Sequence, residues 1–287
     1  MFIKNLILIL ITLFYINNTR AQDSLLTQEL NEVIITATRT LRQLSSLPMP
    51  AQIISSKDIK SSNSLRLNDI LNEQTGLITV PDFGGGEGIQ VQGLDSQYTL
   101  ILIDGVPLVG RSAGTLDITR IAVGNIKQIE IVKGASSSLY GSEALGGVIN
   151  IITERPKNGF KGDVNYRIGS FNTTDFNNNI NFKKNKLSIQ TFFNRYRSNG
   201  YDLNTTDALN TVEPFSNYTL NSKFTYDFNE ATRLLVAGKY FSQNQEYVAS
   251  SSLAGESDIN EWNTHLKLRH RYSDKWSSYF EFYATRY

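Results

Sequence analysis

The chain has 287 residues, a formal net charge of +1, an aromatic content of 11% carried mainly by 14 Tyr and 15 Phe, and no cysteine. That charge balance offers no electrostatic footprint for nucleic acid, and the missing cysteines exclude a disulfide framework, a thiolate metal site and a lipid-modified cysteine anchor. The length allows one or two domains.

Lys4 precedes an apolar run over residues 6–16, followed by Asn17, Asn18, Thr19, Arg20 and Ala21. The run is shorter than the roughly 20 residues a membrane-spanning helix needs. Thr19 and Ala21 are the small residues of a cleavage site before Gln22, so residues 1–21 are expected to be a signal peptide that is removed. Residues 22–46 form a polar leader with one β-prone run, 33–37, inside NEVIITATRT. Such a run either adds as an edge strand to a partner's sheet or begins the following domain.

Residues 47–156 read as an α/β unit. A strand is expected at 51–54, then a helix whose Leu67, Ile70 and Leu71 share one face, with Ser62 to Ser64 as capping candidates and Gly76 as its end. Strands follow at 77–80, 89–91 and 99–103, and Asp104-Gly105 is a hairpin turn signal between Ile103 and Val106. Two glycine-rich loops punctuate the unit. The first holds Asp82, Phe83, Gly84, Gly85 and Gly86; the second holds Val109, Gly110, Arg111 and Ser112. The unit closes on residues 126–153, IKQIEIVKGASSSLYGSEALGGVINIIT, in which two β-branched runs flank Gly134, Tyr140, Gly141, Gly146 and Gly147. These glycines let backbone approach a close neighbour, either a ligand or a surrounding wall.

Beyond Pro156 the pattern alternates with a period of two. Tyr218, Leu220, Phe224, Tyr226 and Phe228 fall on one strand face, and Asn217, Thr219, Asn221, Lys223, Thr225 and Asp227 on the other. Trp262, Leu266 and Leu268 alternate in the same way with Glu261, Asn263, His265, Lys267 and Arg269. Short turns at 183–186, 229–230 and 273–274 alternate with long links at 199–215 and 248–258. Both an outer-membrane barrel and a soluble sandwich alternate; short turns at one end and long loops at the other favour the barrel.

Sites of chemistry find little support. Neither glycine-rich loop matches G-x-x-x-x-G-K-[ST]. His265 and His270 fall on opposite faces of a regular strand and cannot pair on a metal. No histidine accompanies Ser142-Glu143 or Asp104 in a local nucleophile motif. Asp82, Asp95, Asp104 and Asp117 are explained as turn residues.

Together these segments resemble the TonB-dependent outer-membrane receptors. NEVIITATRT is similar to a TonB box, LILIDGVPL (100–108) to the central plug hairpin, and IEIVKGASSSLYGSEALGGVINIIT to the plug's most specific signature. One departure is Gln92-Gly93, where the family commonly has arginine before the glycine, so an ion pair from that position to the barrel is in doubt. The resemblance implies an α+β plug domain followed by antiparallel transmembrane β-barrel strands, with 47–156 as plug and 157–287 as the first part of the barrel. Only about seven strands of membrane-spanning length fit after Pro156, against 22 in plugged transporters. The chain is therefore expected to be an N-terminal fragment or a truncated product, its barrel incomplete.

The implied function is energy-coupled uptake of a scarce bulky nutrient across a bacterial outer membrane, with no bond chemistry, no cofactor and no nucleic acid. Glu32, Val33, Ile34, Ile35, Thr36, Ala37 and Thr38 would bind TonB and, through it, an inner-membrane energising complex. Asp82 to Gly86 and Val109 to Ser112 would be apical substrate loops facing a ferric siderophore or cobalamin, Phe83 offering stacking and Arg111 charge. Asp104, Gly105, Gly134, Tyr140, Gly141, Gly146 and Gly147 would be structural, the glycines packing against the barrel's inner wall. Haem is disfavoured because no histidine precedes the barrel strands. A receptor for haem, peptide or glycan, and a soluble periplasmic β-rich binding protein, are the alternatives.

Overall fold

The computed structural model describes residues 34–35, 42–43, 50–81, 86–108, 110, 115–134, 140–204, 206, 210–250 and 253–287. The expected signal peptide, and Glu32, Val33, Thr36, Ala37 and Thr38 of the leader, lie outside these residues. Within the leader, β1 (Ile34–Ile35) pairs antiparallel with β2 (Arg42–Gln43), Ile34 opposite Gln43 and Ile35 opposite Arg42.

The globular part begins with β3 (Ala51–Ser55) and α1 (Ser56–Ser62), a helix the sequence reading missed. Its signal is a Ser-x-x-Asp box. The Ser55 hydroxyl accepts from Asp58 N at 3.3 Å, and Asp58 Oδ2 accepts from Ser55 N at 3.1 Å, so each satisfies an orphan donor of the first turn. The Ser55 hydrogen bonds hold the Asp58 carboxyl below its ordinary pKa. Helix α2 (Leu67–Asn72) carries Leu67, Ile70 and Leu71 into the core, as its spacing predicts. Its cap is not among Ser62 to Ser64. Arg66 is the N-cap, and the Asp69 carboxylate accepts from Arg66 N at 3.2 Å.

A hairpin of β4 (Leu77–Pro81) and β5 (Glu87–Val91) follows, then β6 (Thr99–Ile103), β7 (Val106–Pro107), β8 (Ile126–Lys133) and β9 (Gly147–Thr153). Five of these strands form one sheet in the order β3-β8-β9-β6-β7, with β6 and β9 parallel and the other pairs antiparallel. Every residue of β9 is buried, which explains its unbroken β-branched run. Ile101, Ile129, Ile131 and Ile149 of the sheet close on Leu67, Ile70 and Leu71 of α2 to form the core. Each such side chain contributes about 1.5–3 kcal/mol by burial.

Among the described residues, Gly146 and Gly147 of the closing signature lie against their own domain and not against the barrel strands. A Cβ on Gly147 would lie 2.5 Å from Val132 O, and one on Gly146 3.2 Å from Tyr98 O, both partners within the same domain. Gly134 and Gly141 have open space among the described residues and positive φ of 95° and 84°, so their role is conformational. Among the described residues two glycines outside the signature press against the wall. A Cβ on Gly124 would lie 2.9 Å from Asn177 Oδ1 and 3.0 Å from the Phe192 ring, and one on Gly110 2.9 Å from the Tyr287 ring.

The second part is a seven-stranded antiparallel sheet in sequence order: β10 (Gly159–Ile168), β11 (Thr174–Lys184), β12 (Leu187–Ser198), β13 (Phe215–Asp227), β14 (Thr232–Ser250), β15 (Leu253–Arg271) and β16 (Ser277–Arg286). Among the described residues β10 and β16 do not pair with each other, so the barrel is not closed. Its burial is inverted relative to a soluble protein. Asp175, Asn179, Asn181, Gln190, Asn194, Glu261 and Asn263 are buried, while Phe160, Val164, Leu220, Phe224, Trp262, Phe280 and Phe282 are exposed. Apolar-out and polar-in is the signature of a transmembrane barrel wall. The link expected at 248–258 is instead mostly ladder, because β14 and β15 stay paired from Thr232↔His270 to Ser250↔Leu253. No described helix is long and apolar enough to cross a membrane.

Candidate functional site

The domain built on β3 to β9 sits against the polar face of the seven-stranded sheet, and two clusters tie them together. Arg66, fixed as the N-cap of α2, projects to the wall. Its Nη2 donates to Asp175 Oδ1 at 3.0 Å and its Nη1 to Asn194 Oδ1 at 3.1 Å, and its guanidinium carbon stacks 3.9 Å from the Tyr196 ring centroid. Asn194 Nδ2 also donates to Asp175 Oδ1 at 2.7 Å, so the carboxylate is held from both sides. Burial pulls the Arg66 guanidinium below its ordinary pKa, and the Asp175 charge opposes that shift. Arg66 and Asp175 are 5% and 2% exposed, so this pair is desolvated and must be hydrogen-bonded to persist.

The second cluster is at the hairpin turn. Asp104 and Gly105 have φ of 51° and 82°, the two positive values a type I′ turn needs, and β6 pairs with β7 across them. Asp104 does more than turn the chain. Its Oδ1 accepts from Thr153 N at 3.1 Å, its Oδ2 from Thr153 Oγ1 at 2.8 Å, and Lys223 Nζ of β13 donates to the same Oδ2 at 2.5 Å. Gly105 N donates to Asn150 Oδ1 at 3.1 Å. The turn is thereby stitched to the end of β9 and to the wall.

Of the expected substrate loops, Asp82, Phe83, Gly84, Gly85, Val109, Arg111 and Ser112 lie outside the described residues. Gly86 and Gly110 mark their bases. Beneath both sits a pair, Asp117 and Arg120, of which the sequence pattern marks only Asp117, as a turn residue. Asp117 Oδ1 accepts from Glu87 N at 3.0 Å beside Gly86, while Arg120 Nη2 donates to Gly110 O at 3.1 Å. Arg120 Nε lies 3.7 Å from Asp117 Oδ2, and its guanidinium carbon lies 5.2 Å from the Phe241 ring of the wall. One ion pair, its arginine buried and its aspartate half-buried, therefore couples the roots of both loops. The local signal was an Asp that caps a turn through Thr119, followed by Arg three residues later.

A cavity of about 130 Å3 lies between the hairpin and the wall, lined in part by Pro107, Leu108, Lys223, Lys239, His265 and Tyr283. At the short-turn end, the inward face carries Lys183, Arg233, Lys267, Arg269 and Arg271. Arg233 pairs with Asp227 and Lys267 with Glu281, while Lys183, Arg269 and Arg271 make no ion pair among the described residues. His265, on the inward face, bonds Glu281 at 2.7 Å, and His270, on the outward face, bonds Thr232 at 2.7 Å. Among the described residues no three metal-ligating side chains converge.

Residues 43–148 match the family model described as the TonB-dependent receptor plug domain. The chain is 37% identical over 124 residues to the vitamin B12 transporter BtuB of Vibrio cholerae serotype O1, a match covering 42% of this chain and 20% of that one. Its fold is similar to that of the ferric enterobactin receptor of Pseudomonas aeruginosa solved with enterobactin, with a TM-score of 0.70 at 19% identity over 83% of this chain and 41% of that one. It is likewise similar to the siderophore receptor PirA of Acinetobacter baumannii, with a TM-score of 0.67 at 20% identity over 78% of this chain and 38% of that one. The chain thus spans about a fifth of the matched transporter and about two fifths of these two solved chains.

Proposed function

For a chain that carries the plug domain of the TonB-dependent receptors and strands of their barrel, we propose energy-coupled uptake of a bulky nutrient chelate across a bacterial outer membrane. The observation that carries this proposal is the seating of the plug, by Arg66 and Asp104, against the polar face of a sheet whose other face is apolar and exposed. Such a plug closes the lumen until something moves it.

In this proposal the signal peptide is removed, the short-turn end and the leader face the periplasm, and the long connector 199–214 faces the cell surface. Cargo settles on the loops 82–86 and 109–112, whose roots share the Asp117–Arg120 pair, so a push on either loop reaches the other. Residues 32–38 pair with TonB by strand addition, gaining about 0.5–1.5 kcal/mol per main-chain hydrogen bond. The cations at the periplasmic end of the lumen favour anionic chelates such as ferric siderophores; the similarity of the plug to that of a vitamin B12 transporter keeps cobalamin as the second candidate.

The test is accumulation of iron-55 as a ferric tris-catecholate, and of labelled cobalamin, by cells carrying the full-length receptor, with and without TonB. Accumulation of one cargo that disappears in the host lacking TonB is expected. Accumulation of neither, or accumulation indifferent to TonB, rejects the proposal.

A further inference from the structure

A second cavity, of about 30 Å3, lies where the roots of the two loops meet the wall, lined in part by Asp117, Arg120, Asn221, Lys239, Phe241 and Glu261. Two cations and two carboxylates share it, and their hydrogen bonding is uneven. The carboxylates are supplied from elsewhere. Asp117 Oδ1 accepts from Glu87 N at 3.0 Å, from Thr119 N at 3.0 Å and from Thr119 Oγ1 at 2.7 Å, and Glu261 Oε1 accepts from Asn263 Nδ2 at 2.5 Å. The cations are not supplied. Arg120 uses Nη2 on Gly110 O, but its Nη1 is buried without a hydrogen-bond partner, in a side chain 7% exposed. Lys239 Nζ lies 3.7 Å from Glu261 Oε1, beyond hydrogen-bond reach, and the ammonium makes no hydrogen bond among the described residues.

What completes this cavity has to accept hydrogen bonds. Guanidinium and ammonium groups only donate, and drawing two like charges into one cavity adds repulsion to the cost of donors left unmet. An anion between them offsets both. The volume selects its class. One water needs about 10–15 Å3 of such space, so this cavity holds a monatomic ion with one water and is too small for a phosphate or a chelate. Asn221 Oδ1, an unpartnered acceptor on the same cavity, is the place for that water, because it needs a donor.

We propose that a single halide ion, chloride under ordinary salt conditions, binds between Arg120 Nη1 and Lys239 Nζ and ties the loop roots to β14 of the wall. The site depends neither on the identity of the cargo nor on which end of the sheet faces the cell surface.

The test uses the full-length receptor in detergent at constant ionic strength, with chloride exchanged for gluconate, and crystals grown with bromide in place of chloride. Anomalous scattering from one bromide between the two cations is expected. Chloride at several times its dissociation constant should raise the midpoint of thermal unfolding of the plug by about 5 °C. Lys239→Met should abolish both signals, while Lys223→Met, which removes the neighbouring ion pair with Asp104, should leave the chloride increment unchanged. Water alone at the site, or an increment that survives Lys239→Met, overturns the proposal. A bromide peak with no chloride increment marks an adventitious ion only and overturns it as well. Heat-modifiable mobility equal to wild type shows that the variants fold, and the bromide experiment on the wild type decides the matter without them. Uptake of labelled cargo is scored separately, so failure of the halide site leaves the transport proposal standing.

Discussion

Arg66→Ala is expected to destabilise plug docking by about 3–5 kcal/mol, the usual cost of removing one partner of a buried ion pair. The change strands Asp175, which is 2% exposed, and removes the cation stacked on Tyr196. Asp175→Ala should cost a similar amount by leaving a buried guanidinium. The double change Arg66→Met with Asp175→Leu should cost far less than the sum, because no uncompensated charge remains. Urea unfolding of the plug in the full-length receptor, followed by protease accessibility of residues 50–81, measures this. A strictly additive double variant would show that the two residues do not act as a pair.

Asp104→Ala is the second large effect, expected at about 3 kcal/mol. It removes three hydrogen bonds to Thr153 and Lys223 and places a β-carbon residue at φ 51° that lacks the side chain tolerated there. Asp104→Asn keeps the left-handed tolerance and a carbonyl for Thr153 but loses the charge facing Lys223, so about 1 kcal/mol is expected. The ranking Ala worse than Asn is the discriminating result. Hydrogen exchange at the Thr153 amide reports it directly, since that amide donates to Asp104. Equal protection in both variants would reduce Asp104 to a turn former.

These two residues also mark the limits of sequence reading. The Asp104-Gly105 turn is local and was legible, because two successive positive φ values leave few residue choices. Its bond to Lys223 spans 119 positions and has no local pattern. Arg66 reaches Asp175 across 109 positions, so nothing near Arg66 distinguishes an anchor from a solvated arginine. The strand alternation was legible for the opposite reason: a wall with lipid on one side and polar groups on the other imprints every second residue. Where polar residues occupy both faces, at 244–246 and 256–258, the alternation carries no signal, and a paired ladder reads as a loop. The glycines of the closing signature were visible, but glycine alone does not say what lies against it. The backbone of β8 answers for Gly147, and among the described residues the wall meets Gly110 and Gly124. Helix α1 was missed although its capping box is in the sequence, because seven residues supply too little apolar periodicity to stand out.

The coupling of a plugged lumen to an external pull is tested most directly by deleting residues 32–38 from the full-length receptor and measuring surface binding and uptake of the same labelled chelate in the same cells. Uptake should fall to the level of cells without the receptor while surface binding is unchanged. Uptake that persists after the deletion contradicts the assignment of this segment, and with it the proposal that force on the leader opens the plug.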